Sequence, residues 1–210
     1  MKYNELRKDY QKLEFDFESA DLNPINQFKS WLDDAIENGI EDATSMSLST
    51  VNKQGRPSSR FVLLKNLSDK GIVFYTNYKS KKAEHIHVNP FVSINFYWKE
   101  LERQVRIEGK AEKVSPLESK QYFDSRTMES RISAIASPQS SIIESKKSLQ
   151  EKINYLNHHV EEIVCPDHWG GYLVKPDRIE FWQGRSNRLH DRLEYVLDEH
   201  MNWKRNILAP

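Results

Sequence analysis

The sequence predicts a mainly β fold with flanking helices, arranged as an antiparallel barrel. Three observations carry that expectation. Runs of alternating or β-branched residues recur along the chain, joined by turn-length links such as NKQG at 52–55 and SDKG at 68–71. Segments with a 3.6-residue apolar period stand beside them. The strands also come in consecutive groups, which disfavours a sheet built by strict strand–helix alternation.

In chain order, the first twenty residues are charged and poor in aliphatics, and read as a mobile arm or loose helix. A helix follows: Asn23 can cap it, Pro24 suits its first turn and Gly39 ends it. Its apolar stripe is Ile25, Phe28, Trp31, Leu32, Ala35 and Ile36. Three strands are expected in SMSLSTV, SRFVLLKNL and IVFYTN, then a short helix in SKKAEHIHVN, stopped before Pro90. FVSINFYW and ERQVRIEGKAEKV form a further hairpin pair. SPLESKQYF opens with a capping box from Ser115 to Glu118, with Pro116 at the first helical position. Helical patterning then runs on to a break near Ser137-Pro138 and resumes in IIESKKSLQEKINYLNHHV. GYLVKPDRIEFWQ, RLEYVLDE and a stretch around Asn202 to Leu208 supply the last strands.

At 210 residues the chain is expected to be one domain, or one domain with decorations, and is long enough to bury a core. Lys plus Arg and Asp plus Glu both number 31, so the net charge is zero, which argues against a general nucleic-acid or membrane-surface binder. The one cysteine, Cys165, fits a reducing compartment. With no signal-peptide core and no membrane-length apolar run, a soluble cytoplasmic protein is expected.

Positive charge is nevertheless concentrated in four places. In SRFVLLKN, strand alternation puts Arg60, Val62 and Leu64 on one face and Phe61, Leu63 and Lys65 on the other. These cations either decorate strand ends or grip an anion at a sheet edge. In YTNYKSKKAEH, a helix start near Ser80 with Lys81 and Lys82 suits a phosphate, although a solvated helix start explains it equally well. Tyr122, Arg126 and Ser130 are spaced to share one helix face if the helix holds that far, a donor set matched to a phosphate monoester. In FWQGRSNRLHDRLEY, strand alternation would set Arg188, His190 and Arg192 on one side with no acid among them. No metal-binding, nucleophile-elbow or dinucleotide motif accompanies these clusters. Anion grips without nucleophile or metal point to a bound cofactor that carries the chemistry.

RFVLLK at 60–65, FYTN at 74–77, SKKA at 80–83 and LERQVRIEGKAE at 101–112 occur in order with SPQSS at 137–141, HWGGY at 168–172, IEFWQG at 179–184 and RLHDR at 188–192. Together they resemble the pyridoxine/pyridoxamine 5′-phosphate oxidase family, from about Arg7 to Pro210. IEFWQG followed closely by RLHDR is the most specific part.

The resemblance implies an FMN-binding split antiparallel β-barrel, acting as a homodimer with flavin between subunits. It implies oxidation of phosphorylated B6 vitamers to pyridoxal 5′-phosphate, with oxygen reduced to hydrogen peroxide. Residues 1–20 become a mobile arm or lid, and 21–210 a single FMN-binding domain.

Carried across by position, Arg60, Phe61, Val62, Leu63, Leu64, Lys65, Tyr75 and Thr76 form one wall of the flavin site. Lys81 and Lys82 grip its phosphate. Gln104, Gln139, Ser140, Trp182 and Arg192 come from the partner subunit. Lys65, Tyr122, Arg126 and Ser130 clamp the substrate phosphate, while Arg188 and His190 lie against the pyridine ring. Arg7 and Tyr10 match an arm that folds over substrate.

Three positions and the tail depart from the family pattern: Lys81 where Arg is frequent, Thr127 where Pro is, Ile135 where Trp is, and the ending NILAP. Other readings are a flavin enzyme for a different substrate, which leaves the Tyr122–Arg126–Ser130 clamp unexplained, and a non-catalytic carrier, which would bind without making peroxide. A nucleic-acid binder would show steep salt dependence.

Overall fold

The computed structural model describes residues 9–210. Nine strands form one sheet in which every pairing is antiparallel. The strands are β1 (Ser45–Val51), β2 (Pro57–Leu63), β3 (Asn66–Ser68), β4 (Gly71–Asn77), β5 (Phe91–Trp98), β6 (Arg103–Lys113), β7 (Trp169–Gln183), β8 (Asp191–Leu197) and β9 (Trp203–Ile207). The helices are α1 (Pro24–Glu37), α2 (Lys81–Val88), α3 (Pro116–Ser125), α4 (Met128–Ala136) and α5 (Lys146–His158).

The main path runs β2-β1-β5-β6-β7-β4-β3, with β8 added on β7 and β9 on β8. The branch comes from the length of β7. Its first part pairs with β4 from Trp169 to Val174, and its last part pairs with β8 from Arg178 to Gln183. Between them, at Pro176, the register with β6 shifts, since proline cannot donate to the ladder. The sheet therefore divides about one bent strand and stays open between β2 and β3, a half-barrel rather than a closed one.

Sequence and packing agree for α1. The Asn23 side chain accepts the Ile25 N–H at 2.9 Å, and Gly39 takes a left-handed φ of 69° after the last turn. The apolar face packs into the sheet: Phe28 meets Phe96 at 4.9 Å, and Trp31 meets Phe181 edge-on at 5.2 Å. Trp98 is buried with its indole N–H donated to the Ala43 carbonyl at 3.0 Å, so its polar atom is satisfied inside the core. Ile36, assigned to the stripe, is 52% exposed at its edge. A satellite cluster of Ile132, Ala136, Leu156 and Ile163 holds α4 against α5.

One local expectation is corrected. The helix through Tyr122, Arg126 and Ser130 does not continue. It ends at Ser125, and Arg126 is extended, because the Thr127 hydroxyl captures the Ser130 N–H at 3.3 Å and caps a new helix. Residues 9–20 form neither helix nor strand. They lie along the body, with Phe15 packed 4.8 Å from Trp31 and its N–H donated to Asp191 at 3.1 Å. Among the described residues no helix is long and apolar enough to cross a membrane.

Candidate active site

Strand β2, the end of β4, the start of α2 and the α3–α4 corner enclose a cleft of about 710 Å³. Among the described residues, five cations line it, Arg60, Lys65, Lys81, Lys82 and Arg126, and no carboxylate does. Each is placed by a local feature. Arg60 projects from β2 and donates to the Leu48 carbonyl and the Thr50 hydroxyl, both at 2.9 Å. Thr50 in turn contacts His85 Nδ1 at 3.1 Å, which braces that end of the cleft. Lys65 reaches the cleft because the chain changes partner there. The Leu64 N–H bonds to Thr44 on the β1 side, and the Lys65 N–H bonds to Val73 on β4.

Lys82 is buried, yet among the described residues its ammonium has only neutral partners: Gln139 Oε1 at 2.8 Å, Thr76 Oγ1 at 3.1 Å and Ser80 Oγ at 3.4 Å. Burial first, and the nearby Arg60 second, depress its pKa to about 8. Burial likewise lowers Arg60 and Arg126. The site holds positive charge under strain that an incoming anion would relieve.

Its floor is aromatic. Tyr75 and Tyr122 stack at 3.8 Å between centroids, and Trp169 lies nearly parallel to both. Burial pushes Tyr75 up to about 12, so its phenol stays protonated. The Arg126 guanidinium sits 4.8 Å from the Trp169 ring centre, and its Nη1 is buried with no hydrogen-bond partner among the described residues. A buried donor without a protein partner in a concave cationic site has the chemistry to meet an anionic acceptor.

A second cluster lies elsewhere on the sheet. Gln104, Trp182 and Arg192 are direct cross-strand partners on β6, β7 and β8, so their side chains share one face. Trp182 packs against His190 at 4.7 Å and Tyr10 at 5.6 Å. His190 Nδ1 accepts the Arg185 backbone N–H at 3.1 Å, so the neutral ring carries its proton on Nε2. Burial, then the cations Arg188 and Arg192, hold His190 below the usual histidine range despite Asp191. Asn187 and Arg188 both have left-handed φ, 55° and 62°, which bends the turn and leaves Arg188 exposed beside the cluster.

Most expected residues thus fall into two groups, with corrections. Phe61, Val62, Leu63, Tyr75 and Thr76 line the cleft, but Leu64 turns into the core at 8% exposure because of the partner switch. Gln139 and Ser140, expected from the partner subunit, line the cleft of their own chain: the turn after α4 brings Gln139 to Lys82 and Thr76. Ser130 does not line the cleft, and its Oγ accepts from Thr127 at 3.1 Å. The expected all-cation strand face is broken twice. Arg188 and His190 precede β8, and Arg192 is bound to Glu180 through two bonds at 2.8 and 3.1 Å. Burial works against the Glu180 charge, but Arg192 and Arg106 outweigh it and keep its pKa low. Arg7 lies outside the described residues. Trp169 was missed as a site residue, although HWGGY was its signal.

Residues 32–159 match the sequence family described as pyridoxamine 5′-phosphate oxidase, and residues 169–210 match the pyridoxine 5′-phosphate oxidase C-terminal dimerisation region. The chain belongs to the pyridoxamine 5′-phosphate oxidase family. Similar relatives include the pyridoxine/pyridoxamine 5′-phosphate oxidases of Legionella pneumophila strain Paris, 48% identical over 98% of this chain and 96% of that one, and of Cytophaga hutchinsonii, 48% identical over 98% and 97%. Among solved structures, PhzG from Burkholderia lata 383, in complex with tetrahydrophenazine-1-carboxylic acid, superposes with a TM-score of 0.91 at 27% identity, covering 97% of this chain and all of that one. A pyridoxamine 5′-phosphate oxidase-related, FMN-binding protein from Nostoc punctiforme shares the fold at a TM-score of 0.70 and 16% identity, over 87% and 97% of the two chains. The half-barrel with its branched β7 is thus the split-barrel fold of this family, and the dimerisation region includes Trp182, His190 and Arg192.

Proposed function

We propose that this chain is an FMN-dependent oxidase that converts pyridoxine 5′-phosphate and pyridoxamine 5′-phosphate to pyridoxal 5′-phosphate, with oxygen as acceptor and hydrogen peroxide as product. The observation that carries the reading is the acid-free cleft with its depressed Lys82 and orphan Arg126 donor, a site built for phosphate monoesters on a family scaffold.

The donor set fits FMN. Arg60, Lys81 and Lys82 would hold its phosphate, and the Thr76 and Gln139 side chains would meet its polar edge. Lys81 can do so as a point charge without the bidentate fork of arginine. When bound, FMN supplies two-electron chemistry, accepting hydride from the substrate and passing the electrons to oxygen.

The chain's own residues bind and orient. Lys65, Tyr122 and Arg126 would clamp the substrate phosphate, placing binding energy far from the reacting carbon, where it can be used for alignment. Alignment of this kind is worth about 7–11 kcal/mol in favourable cases. The second cluster closes the site from another copy of the chain: Gln104, Trp182 and Arg192 would face the flavin, with Arg188 and His190 over the pyridine ring. His190 offers Nε2–H as donor, since Nδ1 is already engaged by Arg185. The exposed apolar edge at Phe61, 77% accessible, and Leu63, 41%, supports a subunit contact beside the cleft.

The test is the absorption spectrum of the purified protein, followed by anaerobic addition of pyridoxine 5′-phosphate. A yellow protein that bleaches, then recovers with peroxide release on admitting air, is the expected result. A flavin that stays oxidised would favour a carrier or another substrate.

A further inference from the structure

Residues 9–20 lack regular structure, yet specific bonds hold them. One carboxylate oxygen of Glu102 accepts the backbone N–H groups of both Gln11, at 3.0 Å, and Lys12, at 3.1 Å. The Lys12 ammonium adds a bond to the Glu100 carbonyl at 2.7 Å. Farther along, Arg185 pairs with Glu14, and Asp191 takes the Phe15 N–H at 3.1 Å.

Glu102 is an unusual residue for a surface turn between β5 and β6. It is 8% exposed and has a left-handed φ of 53°, which a side chain as long as glutamate rarely adopts. Among the described residues no cation pairs with its carboxylate; the arm's N–H groups are its partners. Its carbonyl accepts the Gly184 N–H at 2.7 Å and Gln183 Nε2 at 3.2 Å. Glu102 therefore joins the arm to the corner where β7 ends.

The corner is shaped for what the arm carries. Tyr10, adjacent to the held pair, lies edge-on to Trp182 at 5.6 Å and to His190 at 5.8 Å. Gly184 makes room for it, since a Cβ there would fall 2.7 Å from Tyr10 Cγ and 2.9 Å from its Cβ.

We propose that Glu102 is a positioning residue: its carboxylate latches the N-terminal arm so that Tyr10 stands as a preformed wall against Trp182 and His190. The proposal rests on the reading of that cluster as the cover of the B6 ring. With the latch made in advance, ordering the arm is not charged against substrate binding. Without it, the ordering cost moves into KM, and flavin binding at the Lys82 cleft is untouched.

Two readouts on the FMN-loaded enzyme test this. Trypsin cleavage after Lys12, followed by mass spectrometry, should be about tenfold faster in Glu102→Ala, reflecting a tenfold larger open population. Glu102→Gln, which keeps an acceptor oxygen but loses the charge, should be intermediate. Gly184→Ala, which displaces Tyr10 while leaving the carboxylate in place, should also expose Lys12. KM for pyridoxine 5′-phosphate should rise about tenfold in Glu102→Ala with kcat nearly constant, and the effect should not add to that of Tyr10→Ala. Unchanged Lys12 protection in all three variants, or KM effects that add fully with Tyr10→Ala, would overturn the proposal. If the oxidase reading itself failed, wild type would not oxidise the substrate, yet the order of proteolysis rates would stand. Should Glu102→Ala not fold, Glu102→Gln and Gly184→Ala still decide.

Discussion

Replacing Lys82 by methionine separates a residue kept for binding from one kept for folding. Methionine keeps an unbranched apolar stem and removes the ammonium, its charge together with its N–H donors. In the folded chain without ligand, the ammonium is buried among neutral oxygens and its pKa falls from 10.5 to about 8. A shift of that size corresponds to at most about 3 kcal/mol of penalty on the charged form, and on the order of 1–2 kcal/mol once water reaching the open cleft is allowed for. Lys82→Met relieves this penalty but leaves Thr76 and Gln139 to bond each other, as they already do at 2.9 Å. The apoprotein should therefore melt no lower than wild type. FMN affinity should move the opposite way. Loss of one charge-assisted bond to a phosphate costs about 1.5–3 kcal/mol, or about 10- to 150-fold in Kd. Denaturant melts of apoprotein and flavin-fluorescence titration give the two numbers. A variant that loses stability while keeping its FMN affinity would refute the reasoning and make Lys82 a structural residue.

The same lysine predicts a pH dependence. Bound phosphate should raise its pKa above the free value, so FMN affinity is full below about pH 8 and falls as pH rises through the window up to the bound value, with proton uptake on binding there; titrations from pH 7 to 10 should show this decline, and a flat profile would contradict it. Arg126→Lys keeps charge but removes the fork whose Nη1 lacks a partner and the planar contact with Trp169. It should raise KM for the B6 phosphate by about tenfold or more while FMN content stays at wild type, and loss of flavin instead would place Arg126 at the other phosphate.

Much of the fold was readable because its signals are local. Period-two runs bounded by NKQG and SDKG became β1, β2 and β4, and the Asn23-Pro24 start with the Gly39 stop delimited α1. What failed was decided at a distance or by competition. Tyr122, Arg126 and Ser130 have helical spacing, but Thr127 stands where the family often has proline and caps a second helix, so Arg126 reaches the cleft from a corner. Leu64 obeys strand alternation until the chain changes hydrogen-bond partner beside it. Arg192 looked acid-free along its own strand because Glu180, its diagonal neighbour, belongs to β7. The bond from Lys82 to Gln139 within one chain was not legible, because a resemblance transfers residue types, whereas the path of the turn after α4 into the cleft needs coordinates. Glu102 lies inside LERQVRIEGKAE, but nothing there signals this role, which depends on backbone N–H groups that any sequence possesses.

The central claim is that two copies each contribute half of one site, and mixed dimers test it most directly. Arg126→Ala breaks the cleft half, His190→Ala breaks the other, and each homodimer should be nearly inactive. Random reassortment of equal amounts yields half heterodimers, each with one intact site of two, so about a quarter of wild-type activity should return. If mixing restores nothing although heterodimers form, both halves act within one chain and the account is wrong.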